Sequence, residues 1–200
     1  MQEKKIRTIG HSNQHIIDFL DMLKTYKITH ILDVRSSPYS EYSPQFNKDE
    51  LKDRLKEIWV QYMSFWKEFG ARHDDIQLLN EHGQVDFEKV TKSVNFLMWV
   101  ERLNKWTDSG HKLCLMCSEA NPLECHRFSM LSAYLSHEQK YTISHIIRED
   151  TIIKDITQED LEEKMLDEFK LKVGFFETKE DLIKIAYKKK NLQIWYKPSF

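Results

Sequence analysis

Hydrophobic and polar residues along this chain follow two alternating patterns. Short runs of apolar or β-branched residues, predicted to be strands, occur at residues 5–9, 28–34, 112–116 and 141–147. Between these runs, apolar residues recur at the 3.6-residue period of an amphipathic helix. Residues 113–116 are apolar at every position, which is typical of a strand at the centre of a parallel sheet. Strands that alternate with helices predict a predominantly parallel, three-layer α/β fold with flanking helices.

Three of the predicted helices have recognisable start signals. Ser12 or Asn13 is predicted to cap the first helix, because both side chains can accept a hydrogen bond from a free backbone N–H. Asn47 is predicted to cap the second in a capping-box-like pattern, and Asp86 the third. The third helix is expected to run without a break to about residue 110.

Two stretches of the chain have a less regular pattern. Residues 59–69 are rich in aromatic side chains and fit a short strand, a helix, or both. Residues 72–83 show no clear period and are expected to form a loop.

The last part of the chain is more charged than the rest. Thr157 and Thr178 are predicted to begin two helices, and residues 192–196 to form an edge strand. We therefore expect an α/β domain over residues 1–155 and a C-terminal helical extension, or appendage, over residues 156–200.

Composition narrows the class of protein. The chain has 200 residues, of which 40% are hydrophobic and 12% aromatic, and this is enough to bury a normal core. A formal net charge of −2 creates no global attraction for nucleic acid or anionic membranes.

No signal-peptide core and no run of roughly 20 apolar residues is present, so we expect a cytoplasmic protein without membrane contact. Three cysteines argue against a disulfide framework. Neither a cofactor nor an oligomeric state is indicated.

Polar groups of chemical interest follow three of the predicted strands. They are His11, Ser12 and Asn13; Asp33, Arg35 and Ser36; and Cys117 and Glu119, with Cys125, His126 and Arg127 at the start of the next helix. The carboxyl ends of parallel strands lie at one edge of a sheet, so these groups are expected to share one crevice. By contrast, His145 and Cys114 lie within strands and are expected to be packed in the interior.

The stretch that starts at Cys117 supports three interpretations. A cysteine-phosphatase loop needs an arginine six residues after the thiolate, but Leu123 occupies that position. A structural zinc knuckle has ligand pairs two to four residues apart. Cys117 and Cys125 are eight apart, although a mixed Cys/His site with His126, and with or without His11, stays open. In the third interpretation no metal is bound, and a cysteine near a helix N-terminus and a basic neighbour is the nucleophile.

Several motifs in this order resemble the family catalogued as domain of unknown function 488. They lie at residues 8–13 (TIGHSN), 33–36 (DVRS), 44–47 (PQFN), 117–119 (CSE) and 125–127 (CHR), with a late His-Ile pair at residues 145–146. The resemblance covers roughly residues 5–150. It implies a compact α/β domain with a shared polar site, and it implies no particular activity.

This chain differs from the family pattern at two places. Glu41 follows Pro38, Tyr39 and Ser40, where many members have a basic residue, so one positive charge that could contact a phosphate is absent. Residues 69–72 read Phe-Gly-Ala-Arg instead of an LGG-like segment, which puts alanine where a close backbone approach favours glycine.

The preferred hypothesis is a cytoplasmic enzyme that acts on a phosphate-bearing or nucleic-acid-linked anionic substrate, with no metal assigned. His11 would be a general acid/base, Asp33 would orient His11 or a water molecule, and Glu119 would be an acid/base or a hydrogen-bond anchor. Cys117 or Cys125, beside His126, would be the nucleophile or, failing that, a metal ligand. Substrate binding is assigned to Ser12, Asn13, Arg35, Ser36 and Arg127. The alternatives are a non-catalytic nucleotide or nucleic-acid binding module and a Cys/His metal-binding protein.

Overall fold

The predicted strands form one six-stranded sheet. In the computed structural model, which describes residues 4–174, 177–194 and 196, the strands are β1 (Lys5–Gly10), β2 (His30–Asp33), β3 (Gln61–Ser64), β4 (Leu113–Cys117), β5 (Thr142–Glu149) and β6 (Ile152–Thr157). Their order across the sheet is β3-β2-β4-β1-β5-β6. Neighbours from β3 to β5 are parallel, and β6 is antiparallel to β5. The predicted, predominantly parallel α/β fold is confirmed.

Helices fill most of the connections between strands. They are α1 (Ile16–Thr25), α2 (Lys48–Lys56), α3 (Trp66–Phe69), α4 (Phe87–Lys92), α5 (Val94–Asp108), α6 (Ala133–His137), α7 (Gln158–Glu168) and α8 (Lys179–Gln193). Short 3₁₀ turns occur at Pro44–Phe46, Ile76–Leu78 and Pro122–Glu124, and a π-helical segment covers Arg127–Ser132. None of the described helices has the length and apolar character needed to cross a membrane.

The core lies on both faces of the sheet, and β4 shows why. All five of its residues are buried, and they alternate between the faces. Leu113, Leu115 and Cys117 pack in a cluster with the helix α5, whereas Cys114 and Met116 pack with α1 and α2. Such a strand in the middle of a three-layer domain can be apolar throughout, because neither of its faces meets water.

Several predicted helix starts were wrong in detail. His15, and not Ser12 or Asn13, caps α1, and its Nδ1 accepts a hydrogen bond from the backbone N–H of Ile17 at 3.3 Å. The Asn47 side chain does not cap α2, because its Oδ1 accepts a hydrogen bond from the backbone N–H of Ser40 instead.

The long third helix is divided at Ser93. This residue ends α4, and its hydroxyl accepts a hydrogen bond from the N–H of Phe96 at the start of α5. The apolar period continues across the break, so the pattern alone does not reveal it. Asp86 caps α4 as predicted. Residues 59–69 form both a strand and a helix, β3 and α3, which confirms that interpretation.

The C-terminal part contains one element that the pattern did not predict. The strand β6 pairs with β5, and its exposed edge alternates too weakly to be recognised. The helices α7 and α8 begin at capping boxes on Thr157 and Thr178, as predicted. They pack on Phe128 in a separate apolar cluster. Residues 192–193 belong to α8, so the predicted strand there was wrong; residue 195 lies outside the described residues. The division at residue 155 stays a prediction.

The register of the sheet brings the predicted strand ends together. Gly10 lies opposite Cys117, and Asp33 lies opposite Met116. The ends of β1, β2 and β4 therefore share one edge, as the hypothesis of a single site requires.

Candidate functional site

A cleft of about 230 Å³ opens at the carboxyl ends of β2 and β4. Its lining combines sulfur, imidazole, carboxylate and guanidinium groups: Cys117, Glu119, Glu124, Cys125, His126, Arg35 and Arg72, with Ser36, Ser37, Ser118, Ala71, Ile194 and Tyr196. Pockets for drug-sized molecules usually begin at about 300 Å³. This cleft therefore fits a small molecule or one end of a larger one.

Two cysteines and a histidine converge at the floor of the cleft. The Nδ1 atom of His126 lies 3.8 Å from the Sγ of Cys117 and 3.8 Å from the Sγ of Cys125. All three ligand atoms lie within 4.8 Å of one another, and all three residues are buried. Among the described residues, this trio is close enough to bind one metal ion together. The three cysteines of the chain are free thiols.

The backbone of β2 fixes the orientation of the imidazole. The Nε2 of His126 lies 3.1 Å from the carbonyl oxygen of Val34 and donates a hydrogen bond to it. In a neutral ring the lone pair is then on Nδ1, which is the nitrogen directed at the two sulfurs. Metal-binding histidines almost always donate their other ring N–H to a carboxylate, a backbone carbonyl or a water molecule, so this contact is compatible with a metal ligand.

The thiols of Cys117 and Cys125 differ in how readily they ionise. Although burial opposes ionisation, a hydrogen bond from Cys117 and the positive charge of Arg127 lower the pKa of Cys125. The same hydrogen bond, together with burial, raises the pKa of Cys117. These interactions thus favour a thiolate at Cys125 and a protonated thiol at Cys117. Glu119 lies beside this pair, with its Oε2 2.9 Å from the Sγ of Cys117.

A buried ion pair supports the cleft from below. Arg35 donates hydrogen bonds from Nε and Nη2 to the two carboxylate oxygens of Asp33, at 2.8 and 2.6 Å. The hydroxyl of Tyr62 donates to the same carboxylate at 2.6 Å. Nη1 of Arg35 lies 2.9 Å from the carbonyl oxygen of Phe46 and 3.1 Å from Nε2 of His11. One hydrogen of Nη2 is then left for a ligand, since these contacts use the other four N–H groups.

His11 lies behind Arg35 and not in the lining of the cleft. Burial, together with the charge of Arg35, lowers the pKa of His11 to about 4, so the ring is neutral at physiological pH. Its Nδ1 donates a hydrogen bond to the carbonyl oxygen of Ser12 at 2.6 Å, and its Nε2 accepts from Arg35. With both nitrogens in use, His11 is placed to hold Arg35 in position.

Arg127 is buried beneath the loop that follows β4. Its Nη1 and Nη2 donate hydrogen bonds to the backbone carbonyls of Glu119 and Ala120, at 2.6 and 3.0 Å. A Cβ atom on Gly10 would lie 1.8 Å from the Glu119 carbonyl oxygen. The loop can therefore lie against β1 only because residue 10 has no side chain. In this position the guanidinium holds the loop and does not line the cleft.

The chain matches the family model described as Domain of unknown function DUF488 over residues 15–135. This match covers more than half of the chain. The protein belongs to the DUF488 family. No curated protein and no solved structure matches the chain.

The DUF488 match contains most of the candidate site. Arg35, Cys117, Glu119, Cys125 and His126 all lie within it and line one cleft. Ser36 lines the same cleft.

Three predicted substrate-binding residues do not line this cleft: Arg127, as described above, and also Ser12 and Asn13. Ser12 lines a second cavity on the other side of the loop after β4, and Asn13 is exposed and lines neither cavity. Both precede the DUF488 match, as does His11. The structure therefore brings Arg35, Ser36, Cys117, Glu119, Cys125 and His126 together in the cleft. Of the groups after β1, His11 contacts Arg35 from behind, whereas Ser12 and Asn13 lie outside the cleft.

The sequence did not indicate several residues near the site, and four of these bear on its chemistry. Tyr62 is on β3 and contacts Asp33. Arg72 and Tyr196 line the cleft, and the Arg72 guanidinium lies over the Tyr196 ring, 5.2 Å from its centroid. Glu124 also lines the cleft. Arg72 could have been found, because it ends the segment that takes the place of the LGG-like motif. Tyr196 carries no comparable signal, since it is far along the chain from every motif.

Proposed function

We propose that the DUF488 cleft is the active site of a metal-dependent hydrolase for small anionic substrates. In this proposal Cys117, Cys125 and His126 bind one thiophilic divalent ion such as Zn²⁺. The observation that carries it is the equal distance of 3.8 Å from His126 Nδ1 to each sulfur. Around a tetrahedral Zn²⁺, with bonds of about 2.3 Å to sulfur and about 2.0 Å to nitrogen, such ligand atoms are roughly 3.5–3.8 Å apart.

A metal ion at this position would also balance the charge of its ligands. Without a cation Cys117 keeps its proton, because two buried thiolates would be costly to remove from water. A divalent ion compensates both of them, and the neutral imidazole adds no charge. The carbonyl of Val34 supplies the outer-shell contact that a metal-binding histidine needs.

Three protein ligands leave a fourth coordination position, which is typical of catalytic and not of structural zinc sites. A bound ion would polarise the substrate and lower the pKa of a water molecule at that position. Glu119 is next to the cluster and can accept a proton from the attacking water. As the new bond to oxygen forms and the bond to the leaving group breaks, Glu119 returns the proton to the leaving group.

The substrate class follows from the guanidinium groups of the lining. Arg35 offers one Nη2 hydrogen, and Arg72 offers an exposed guanidinium. Such groups bind carboxylates and phosphates with directed hydrogen bonds. A cleft of about 230 Å³ would admit a small anionic molecule whole, or only one end of a larger one, and we propose the small molecule as the substrate.

A screen with the metal-loaded protein tests this function. Carboxylate and phosphate derivatives that contain a hydrolysable ester or amide are incubated with Zn²⁺-loaded protein and with metal-free protein. We expect hydrolysis that depends on the metal, and a Glu119→Gln variant that retains the ion but loses at least about 10²-fold in rate. Undiminished turnover in the metal-free protein would contradict the proposal.

One observation supports a second candidate, in which the same residues act without a metal. The Sγ of Cys125 accepts a hydrogen bond from the backbone N–H of Arg127 at 3.4 Å, and its pKa is lowered by Cys117 and Arg127 against the effect of burial. A thiolate held in this way is a nucleophile. In this case Cys125→Ser abolishes turnover that chelators leave unchanged.

A further inference from the structure

The C-terminal extension contributes two residues to the candidate site. The helix α8 ends at Gln193, and Ile194 and Tyr196 follow it. Ile194 and Tyr196 are half-buried against the apolar cluster around α5, and both line the cleft. Neither residue lies in the DUF488 match, which ends at residue 135.

Two contacts hold Tyr196 in place, one from the core and one from the cleft lining. Its backbone carbonyl accepts a hydrogen bond from the N–H of Val85 at 3.0 Å. Its ring faces the guanidinium of Arg72, 5.2 Å from the centroid, which is within the range of a cation–π interaction. The backbone N–H of Arg72 in turn donates to the hydroxyl of Ser36 at 3.1 Å. The pair thus connects the end of α8 to the loop after β2.

We propose that Tyr196 and Arg72 form a selective wall at the cleft, so that the C-terminal extension determines which molecules reach Cys117 and Cys125. Arg72 favours anionic groups, and the ring of Tyr196 limits the width of the approach. This proposal rests on the proposed function only in taking the cleft to be a substrate site. The selectivity of the wall depends on the shape and charge of Tyr196 and Arg72 alone.

Two small alkylating reagents test the wall without a substrate or a metal. Thiolates attack the α-carbon of iodoacetate and of iodoacetamide in the same way, forming a carbon–sulfur bond as iodide leaves, and the two reagents differ chiefly in charge. Each is applied to the metal-free full-length protein, and the rates at Cys117, Cys125 and Cys114 are measured separately by peptide mass spectrometry. Cys114 is buried in β4 and is the internal control.

Each variant removes one property of the wall. Tyr196→Ala removes the ring, Tyr196→Phe keeps it, and Arg72→Gln removes the charge from an exposed position. Tyr42→Ala is the matched control, because Tyr42 is 95% exposed and does not line the cleft. We expect Tyr196→Ala to raise the iodoacetamide rate at Cys117 or Cys125 several-fold, and Tyr196→Phe and Tyr42→Ala to match the wild type. Arg72→Gln should lower the ratio of iodoacetate to iodoacetamide rates several-fold.

Two outcomes would overturn the wall. One is a Tyr196→Ala protein that reacts like the wild type. The other is a parallel rise at Cys114, which would mean that the whole sheet has loosened. Because no metal is present in the assay, a failure here leaves the metal-dependent function untouched, and a protein that binds no metal can still show the wall.

Discussion

Two of the largely buried clusters of polar side chains around histidines differ in whether their hydrogen bonds are satisfied within the protein. The first is a chain of five hydrogen bonds of 2.6–2.8 Å that joins Thr8, His145, Gln158, Tyr187, Glu162 and His137. Every link has a normal hydrogen-bond length. We call this series of hydrogen bonds the closed chain, because each polar group in it has a partner within the protein. It connects β1 and β5 to the C-terminal helices.

The second cluster is Cys117, Cys125 and His126 at the floor of the cleft. Here Nδ1 of His126 is 3.8 Å from each sulfur, beyond the length of a strong hydrogen bond, while its other nitrogen is firmly bonded to Val34. Both nitrogens of His145 have protein partners, which is expected of a structural histidine. His126 has one nitrogen fixed and the other directed between two sulfurs, and the proposed metal site rests on this difference.

The buried Asp33–Arg35 ion pair below the cleft is satisfied within the protein, as the closed chain is. Breaking this pair should have the largest effect on the free energy of unfolding. Asp33→Ala leaves Arg35, which is only 3% exposed, without its carboxylate. Removing one partner of such a pair lowers the free energy of unfolding by about 3–5 kcal/mol. Urea denaturation measures the change. Asp53→Ala is the control, because the Asp53–Lys56 pair is exposed, and it should leave the midpoint nearly unchanged.

Gly10→Ala should disturb the cluster of Cys117, Cys125 and His126, because it displaces the loop that follows β4. The new Cβ would lie 1.8 Å from the carbonyl oxygen of Glu119, so the backbone of the loop must move. We expect a loss of about 3 kcal/mol in thermal or urea unfolding, together with weaker metal binding.

Gly174→Ala is the control for this change, because its Cβ would meet only the end of the flexible Glu177 side chain. A Gly10→Ala protein with wild-type stability would show that the loop does not need close contact with β1.

The closed chain should make the protein sensitive to acid. Burial, and then the charge of Arg127, lower the pKa of His145 to about 3 from an ordinary value of 6.5. Below pH 6.5 the unfolded chain therefore binds a proton that the native state refuses. Stability is fully present above that pH, and it falls by about 1.4 kcal/mol per pH unit as the pH drops towards the native pKa.

Urea unfolding of wild type and His145→Gln between neutral pH and pH 4 isolates this contribution from those of the other histidines. We expect a flatter pH dependence in the variant. Identical slopes would mean that His145 is protonated in the native state.

His137 at the outer end of the closed chain should show a small effect of opposite sign. A hydrogen bond to Glu162 raises its pKa. The stabilisation is present below the ordinary pKa of 6.5 and is lost as the pH rises through the native value. Since 45% of the His137 side chain is exposed, water screens the pair and the effect should stay below about 1 kcal/mol. The same titration of His137→Gln should lack this loss, and a variant that still shows it would refute the assignment.

Much of the fold was predictable, because apolar runs and helical periods report burial directly. The strand β4 and the capping boxes of α7 and α8 are examples. The strand β6 was missed because an exposed edge needs few apolar residues. The break at Ser93 was missed because a single capping hydroxyl leaves the period intact.

The candidate site was predictable in composition but not in arrangement. Motifs placed Cys117, Cys125 and His126 together, since the carboxyl ends of parallel strands share an edge. They could not show that Arg127 would bond to backbone carbonyls, or that His11 would lie behind Arg35, because these contacts depend on the path of the loops. Tyr196 reaches the cleft by long-range packing, for which local sequence gives no signal.

The metal content of the purified protein tests the central claim most directly. Protein prepared without a metal-affinity step, and reconstituted with Zn²⁺, is measured by elemental analysis and native mass spectrometry. Wild type and the control variants Cys114→Ala and His145→Gln should each bind one ion per chain. Cys117→Ser, Cys125→Ser and His126→Asn should lose the ion while remaining folded by circular dichroism. A wild-type protein that stays metal-free, or variants that retain a full equivalent, would contradict the account.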